Sequence, residues 1–204
     1  MPHTIIFDLG NVLIGWQPRA LFEKVFETTE EVDHFLANVA TLEWNEKQDA
    51  GRTIEEGTRE LIAKHPEFER EIKIYYDRWT ETITGPITGT VEILQALKAS
   101  GKYRLLALTN WSHELFPWAR QTFPFLELFE NIMVSGEVGL QKPDPAIYRL
   151  LHETYDLKGY HDCVFIDDSL RNVEAARKEG LDTIRFENPE QLRRELRERG
   201  VEGV

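Results

Sequence analysis

A chain of 204 residues, 41% hydrophobic and 11% aromatic, has the material for one main core with a smaller inserted module and is too apolar for wholesale disorder. Its net charge of -12, with no Lys/Arg-rich run or stripe, argues against nucleic acid as a partner, and no apolar run is long enough to span a bilayer. Met1-Pro2-His3-Thr4 leads straight into a core strand without a basic segment or cleavage signature, so a cytoplasmic protein is expected, and the lone Cys163 is expected to be a small buried hydrophobe.

The first predicted element is a strand over residues 5–7, apolar on both faces, which delivers the carboxylate of Asp8 at its carboxyl end. That carboxylate either bonds the amides of the following turn or serves as nucleophile and metal ligand. Gly10, Gly15 and Pro18 punctuate the next segment. Residues 18–26, 30–39, 53–65 and 66–79 then place apolar residues at three- and four-residue spacings, with no strand predicted between 19 and 83. A helical module inserted after the first strand follows from this, with residues 84–89 marking the return to the main domain.

Beyond that return the pattern alternates: helix 90–100, strand 104–109, helix 112–123, strand 131–135, helix 144–155, strand 163–168, helix 169–179, strand 183–186 and helix 189–199. Strand and helix joined by short links predict an α/β fold, a parallel sheet covered by helices on both faces.

Several polar groups fall at the carboxyl ends of predicted strands, where open α/β sheets carry out chemistry: Asp8, Thr109 with Asn110, and Asp167 with Asp168. Lys142 joins them from a loop. Each has a purely structural alternative: Thr109 and Asn110 as caps of the next helix, Lys142 as a surface lysine before Pro143, Asp168 or Ser169 as an N-cap. Together they suit an anion plus a divalent cation. Three opposed carboxylates repel unless a hard cation such as Mg²⁺ sits between them, and Lys142 with the Thr109 hydroxyl would then face a phosphoryl group.

Four segments carry a resemblance: Phe7-Asp8-Leu9-Gly10-Asn11-Val12-Leu13, Leu108-Thr109-Asn110, Gln141-Lys142-Pro143-Asp144-Pro145-Ala146-Ile147-Tyr148, and Phe165-Ile166-Asp167-Asp168-Ser169-Leu170-Arg171-Asn172. In order and spacing they resemble the haloacid dehalogenase (HAD) superfamily of hydrolases. The Asp-Leu-Gly-Asn-Val form is similar to a subgroup that includes sugar-phosphate phosphatases. The resemblance implies a Rossmann-like core, residues 1–16 and 85–204, and an all-helical cap, residues 17–84. It also implies roles. Asp8 would attack phosphorus to give an aspartyl-phosphate, Thr109 would bond the phosphate, and Lys142 would neutralise charge and orient Asp8. Asn110 would lie beside the phosphate pocket. Asp8, the Gly10 carbonyl, Asp167 and Asp168 would hold Mg²⁺.

Gly10 departs from the family's phosphatases, which usually carry there the aspartate that serves as general acid and base. Such catalysis contributes about 10²–10⁴-fold, so leaving groups that depart easily should suffer least. The expected substrate is a small phosphorylated metabolite, with a hexose phosphate as candidate. His113 is one candidate to replace the acid. Of Trp16, Trp44 and Trp111, at most one is expected to line a substrate pocket, Trp16 preferred. Arg52, in the turn of residues 49–52, is a candidate specificity residue, or simply solvated. Two other functions stay open: a 2-haloacid dehalogenase, whose family pattern lacks the Asp167-Asp168 pair, and a non-catalytic binding protein on a HAD scaffold.

Overall fold

The computed structural model describes residues 2–204. Its elements run β1 (Thr4–Phe7), β2 (Ile14–Trp16), α1 (Pro18–Phe22), α2 (Thr29–Asn38), α3 (Leu42–Asp49), α4 (Ile54–Lys64), α5 (Glu69–Asp77), β3 (Ile83–Pro86), α6 (Thr88–Ser100), β4 (Arg104–Thr109), α7 (Phe116–Thr122), β5 (Asn131–Val134), α8 (Ser135–Val138), α9 (Pro145–Thr154), β6 (Cys163–Asp167), α10 (Leu170–Lys178), β7 (Asp182–Arg185) and α11 (Pro189–Glu198). Five strands form a parallel sheet in the order β5-β4-β1-β6-β7. The fold is α/β and Rossmann-like, and β1 lies at its centre, in register with Arg104 on one side and Cys163 on the other.

The unbroken apolar character of β1 has a direct cause. Alternate side chains enter different layers. Ile5 and Phe7 pack with Ile93 and Leu97 of α6 and Leu192 of α11, whereas Ile6 packs with Ile147 and Tyr148 of α9 and Phe165 of β6. The lone Cys163 is buried in this second layer.

A third apolar cluster draws only on the inserted helices. Phe22 of α1, Val32 and Phe35 of α2, Trp44 of α3, Leu61 of α4 and Ile72 and Tyr75 of α5 bury one another. The side chains of Thr28 and Thr53 close capping boxes at the starts of α2 and α4, satisfying amides that the helix cannot.

The structure differs from the predicted pattern in four places. β2 pairs antiparallel with β3, so both crossings between the helical segment and the sheet run side by side. These strands are too short to show a period. α3 was not predicted because its buried face includes Asn45 and Gln48, which break the apolar spacing. The helix expected over 112–123 starts only at Phe116, with Pro117 in its first turn, and four-residue α8 follows β5 directly.

Candidate active site

The carboxyl ends of β1 and β6 lie next to each other at the centre of the sheet, where the chain's connections depart in opposite directions and a crevice opens. Asp8 follows β1 and Asp167 ends β6. Between them stands Lys142, 1% exposed, its Nζ 2.9 Å from Asp8 Oδ1 and 2.7 Å from Asp167 Oδ2. The third Nζ donor goes to the Leu108 carbonyl at 2.9 Å, so the ammonium is saturated. A surface role for Lys142 is excluded by this burial.

The loop carrying Lys142 is fixed by Asn110. Its side chain accepts from the Lys142 amide at 2.9 Å and donates to the Lys142 carbonyl at 2.8 Å. Asp167 is held as firmly: Oδ1 accepts from the Ser169 amide at 2.8 Å, and Asn172 Nδ2 lies 3.1 Å from both carboxylate oxygens. Asp8 Oδ1 also accepts from the Leu9 amide at 2.7 Å. Among the described residues no hydrogen bond reaches Oδ2.

Electrostatics follow from this geometry. Burial pushes the Asp8 carboxyl up to about 7, against the pull of Lys142 and with further repulsion from Asp167 and Asp168. Asp168 is raised too, by burial and then by Asp167. Burial opposes the charge of Lys142, yet its two carboxylate neighbours outweigh that and hold its pKa above the usual lysine value. One oxygen each of Asp8, Asp167 and Asp168 lies within 4.8 Å of the others. One ammonium cannot neutralise three such groups, and an all-oxygen set of this kind suits a hard divalent cation. Thr109 is 0% exposed and its hydroxyl has no partner among the described residues, which leaves a buried donor to be matched by a ligand oxygen.

A cavity of about 280 Å³ opens over these groups, and Asp8, Gly10, Asn110 and Asp168 form part of its wall. The helical segment closes it with Asn45, Glu46, Asp49, Tyr75 and Tyr76, and Trp16, Trp79 and Trp111 add flat apolar faces. Asn11 orients Trp16: it adopts a left-handed φ of 53°, and its side chain accepts from the Trp16 amide at 2.9 Å. Three tryptophans thus reach the cavity where one was expected. Trp44 is not among them, since it packs inside the helical segment and donates to the Gly57 carbonyl at 3.0 Å. Nor do Arg52 and His113 line the cavity. Arg52 is neither solvated nor at the site; it binds Glu60, Gln48 and the Trp44 carbonyl at 2.6, 2.7 and 3.1 Å.

Sequence reasoning missed Asp49, Trp79, Tyr75 and Tyr76 as lining residues. Only Asp49 carried any signal, through its place in the turn of residues 49–52 that also holds Arg52, the candidate specificity residue.

The fold and the acidic, lysine-bearing crevice define a hydrolase of the HAD type. A profile of haloacid dehalogenase-like hydrolases matches residues 2–180, and the chain belongs to that family. It is 28% identical over 198 residues to the drimenol cyclase drtB of Aspergillus calidoustus, matching 96% of this chain and 36% of that protein. The chain therefore spans about a third of the length of that curated relative. The sesquiterpene phosphatase astK of Aspergillus oryzae is 24% identical over 176 residues, 86% of this chain and 85% of the relative. Among solved structures, a HAD family enzyme of Bacteroides thetaiotaomicron, in complex with magnesium and inorganic phosphate, superposes with a TM-score of 0.69 at 25% identity, covering 92% of this chain and 96% of that one.

Proposed function

We propose that this protein hydrolyses a small phosphate monoester through an aspartyl-phosphate at Asp8, in a crevice between a core of residues 1–16 and 85–204 and a helical cap of residues 17–84. The observation that carries this reading is the Lys142 ammonium clamped between Asp8 and Asp167, with Asp168 completing a cluster of three carboxylates of which Asp8 and Asp168 line the cavity. Asp8, Asp167, Asp168 and the Gly10 carbonyl would hold a divalent cation such as Mg²⁺, which supplies positive charge to the phosphate oxygens. Magnesium and phosphate in the Bacteroides relative support the same choice.

The chain's own residues divide the remaining work. Lys142 favours the ionised form of Asp8 against the burial that opposes it, so that a carboxylate oxygen can attack phosphorus. The unpartnered Thr109 hydroxyl donates to a phosphoryl oxygen. Asn110 positions Lys142 by bonding both sides of its peptide unit. Trp16 stacks on the leaving group, and flat aromatic faces beside Asn45 and Glu46 suit a ring with an apolar face and a polar rim, as in a hexose phosphate. The name of the Aspergillus oryzae relative, a sesquiterpene phosphatase, makes a sesquiterpene phosphate the rival substrate to include.

A panel of phosphorylated metabolites assayed with Mg²⁺ and with a chelator tests this. Phosphate release is expected only with the metal, and release of halide from 2-haloacids is not expected, since a dehalogenase would have no use for the adjacent carboxylates of buried Asp167 and half-buried Asp168. A second expected result needs no substrate. Trifluoroberyllate at a hundredfold excess over its Kd should stabilise the Mg²⁺-loaded protein by about 2.7 kcal/mol, or about 5–10 °C in Tm. No shift would favour a scaffold that binds something other than phosphate.

A further inference from the structure

The phosphoester reading leaves a gap in the chemistry, because the position from which family phosphatases protonate the leaving oxygen is Gly10. Space is not the obstacle there, since a Cβ on Gly10 would meet nothing within 4 Å. The open volume beside Gly10 is the cavity itself, and the cap sends two carboxylic acids into its wall: Glu46, which is paired with Arg171 of the core, and Asp49, which has no cationic partner of that kind among the described residues.

Asp49 is the last residue of α3 and is held from both sides. On the core side, the Ser135 hydroxyl donates to the Asp49 carbonyl at 2.5 Å while accepting from the Trp111 amide at 2.9 Å. On the cap side a chain of hydrogen bonds ends at its carboxylate. Arg52 donates to Gln48 at 2.7 Å, Gln48 to the Tyr76 hydroxyl at 2.7 Å, Tyr76 to Asn45 at 3.0 Å, and Asn45 to Asp49 Oδ2 at 3.2 Å. Gly51, at a φ of 103° that L side chains rarely adopt, lets the turn approach the Gly136 carbonyl, where an added Cβ would lie 3.4 Å away. Such a double anchor places the carboxyl relative to the core rather than leaving it to cap motion.

We infer that Asp49 is the general acid and base of this site, in the role that Gly10 leaves vacant; the inference rests on the phosphatase reading. In the first step an Asp8 carboxylate oxygen bonds to phosphorus, the bond from phosphorus to the ester oxygen breaks, and the Asp49 proton passes to that oxygen, releasing an alcohol. In the second step water attacks phosphorus and gives a proton to Asp49. The bond to Asp8 then breaks, and inorganic phosphate leaves. Protons and phosphoryl oxygens balance, and Asp49 ends as it began.

The surroundings suit an acid that is protonated near neutrality. Burial first, then the charge of Glu46, push the Asp49 carboxyl up to about 7, against a hydrogen bond from the Ser112 amide. The groups facing it are Glu46 on α3, itself paired with Arg171 of the core, Tyr75 and Tyr76 on α5, Arg52 through Gln48, and Asp8 and Asp168 across the cavity. His113, the alternative acid, does not line the cavity.

The test is kcat/KM, which reports the transfer to Asp8, for Mg²⁺-loaded wild type and Asp49→Asn on phosphates of graded leaving-group basicity. An alkyl phosphate needs the proton, so D49N should lose about 10²–10⁴-fold on it; 4-nitrophenyl phosphate releases a stable anion, so the loss there should stay below about 10-fold. Wild-type activity on the alkyl ester should fall as pH rises through about 7, because the acid must hold its proton, and D49N should lack that limb. Gly10→Asp in the D49N background should recover alkyl turnover. An equal loss on both esters, or an unchanged alkyl rate in D49N, would overturn the assignment while leaving the phosphatase reading standing. Wild type inert on both esters would remove that reading and this one with it.

Discussion

Lys142→Met should lower the Tm of the metal-free protein by about 6–20 °C. Removing one partner of a buried ion pair typically costs about 3–5 kcal/mol, and for a chain of this size each kcal/mol is worth about 2–4 °C. Here the loss strands two partners, since Lys142 Nζ contacts Asp8 at 2.9 Å and Asp167 at 2.7 Å, and it frees the Leu108 carbonyl as well. The penalty should grow with pH. In the unfolded chain Asp8 ionises near 3.8, but the folded protein resists its ionisation up to about 7 even with Lys142 present. Stability therefore declines as pH rises between those values, and more steeply without the ammonium. Thermal melts in chelator at pH 5.5 and 8 would check this: a loss equal at both values would show that packing, not charge, accounts for the effect. Asp8→Asn added to Lys142→Met should restore part of the loss, because one of the two stranded charges is gone.

Asp8→Asn alone should have the opposite profile, abolishing turnover by about 10⁴-fold or more while leaving the melt in chelator unchanged or higher. The amide keeps the shape of the side chain and an acceptor for the Leu9 amide, but its oxygen is a poor nucleophile toward phosphorus. It also removes a charge that burial disfavours and that Asp167 and Asp168 repel. Acid-quenched wild-type protein should carry one added phosphoryl group by mass spectrometry, removable with hydroxylamine, and the variant none. Residual turnover within tenfold of wild type would transfer the nucleophile's role away from Asp8.

What could be read in the sequence was whatever depends on local pattern or on short motifs. The runs at Ile5-Ile6-Phe7, residues 104–109 and residues 163–167 are apolar because both faces of the sheet are covered, and so they announce themselves as strands. Asp8, Lys142, Asp167 and Asp168 could be grouped because each sits at a strand end or in a loop leading to a helix. The rest depended on distance in space. α3 escaped notice because its inward side chains Asn45 and Gln48 are polar, their partners lying on α5 and in the following turn. Trp79 and Trp111 lie far apart in the chain, yet their rings meet edge to face at 6.3 Å, and nothing local marks either as part of a cavity wall. Asp49 is one acidic residue among thirty-six, and beyond its place in the turn of residues 49–52 only the folding of the helical segment distinguishes it.

The strand order carries a consequence for biosynthesis. β1 sits at the centre of the sheet, but its partners are the strands that begin at Arg104 and Cys163. At ~5–20 residues per second, a ribosome delivers Arg104 about 5–20 s after Thr4, and Cys163 later still. During that interval Ile5, Ile6 and Phe7 have no sheet to join, whereas the helices of residues 18–77, with an apolar cluster of their own, are already complete. The segment that closes the cavity in the finished protein is thus the first part whose own apolar cluster is synthesised whole, and the strand that leads to Asp8 must wait for the sheet to assemble around it.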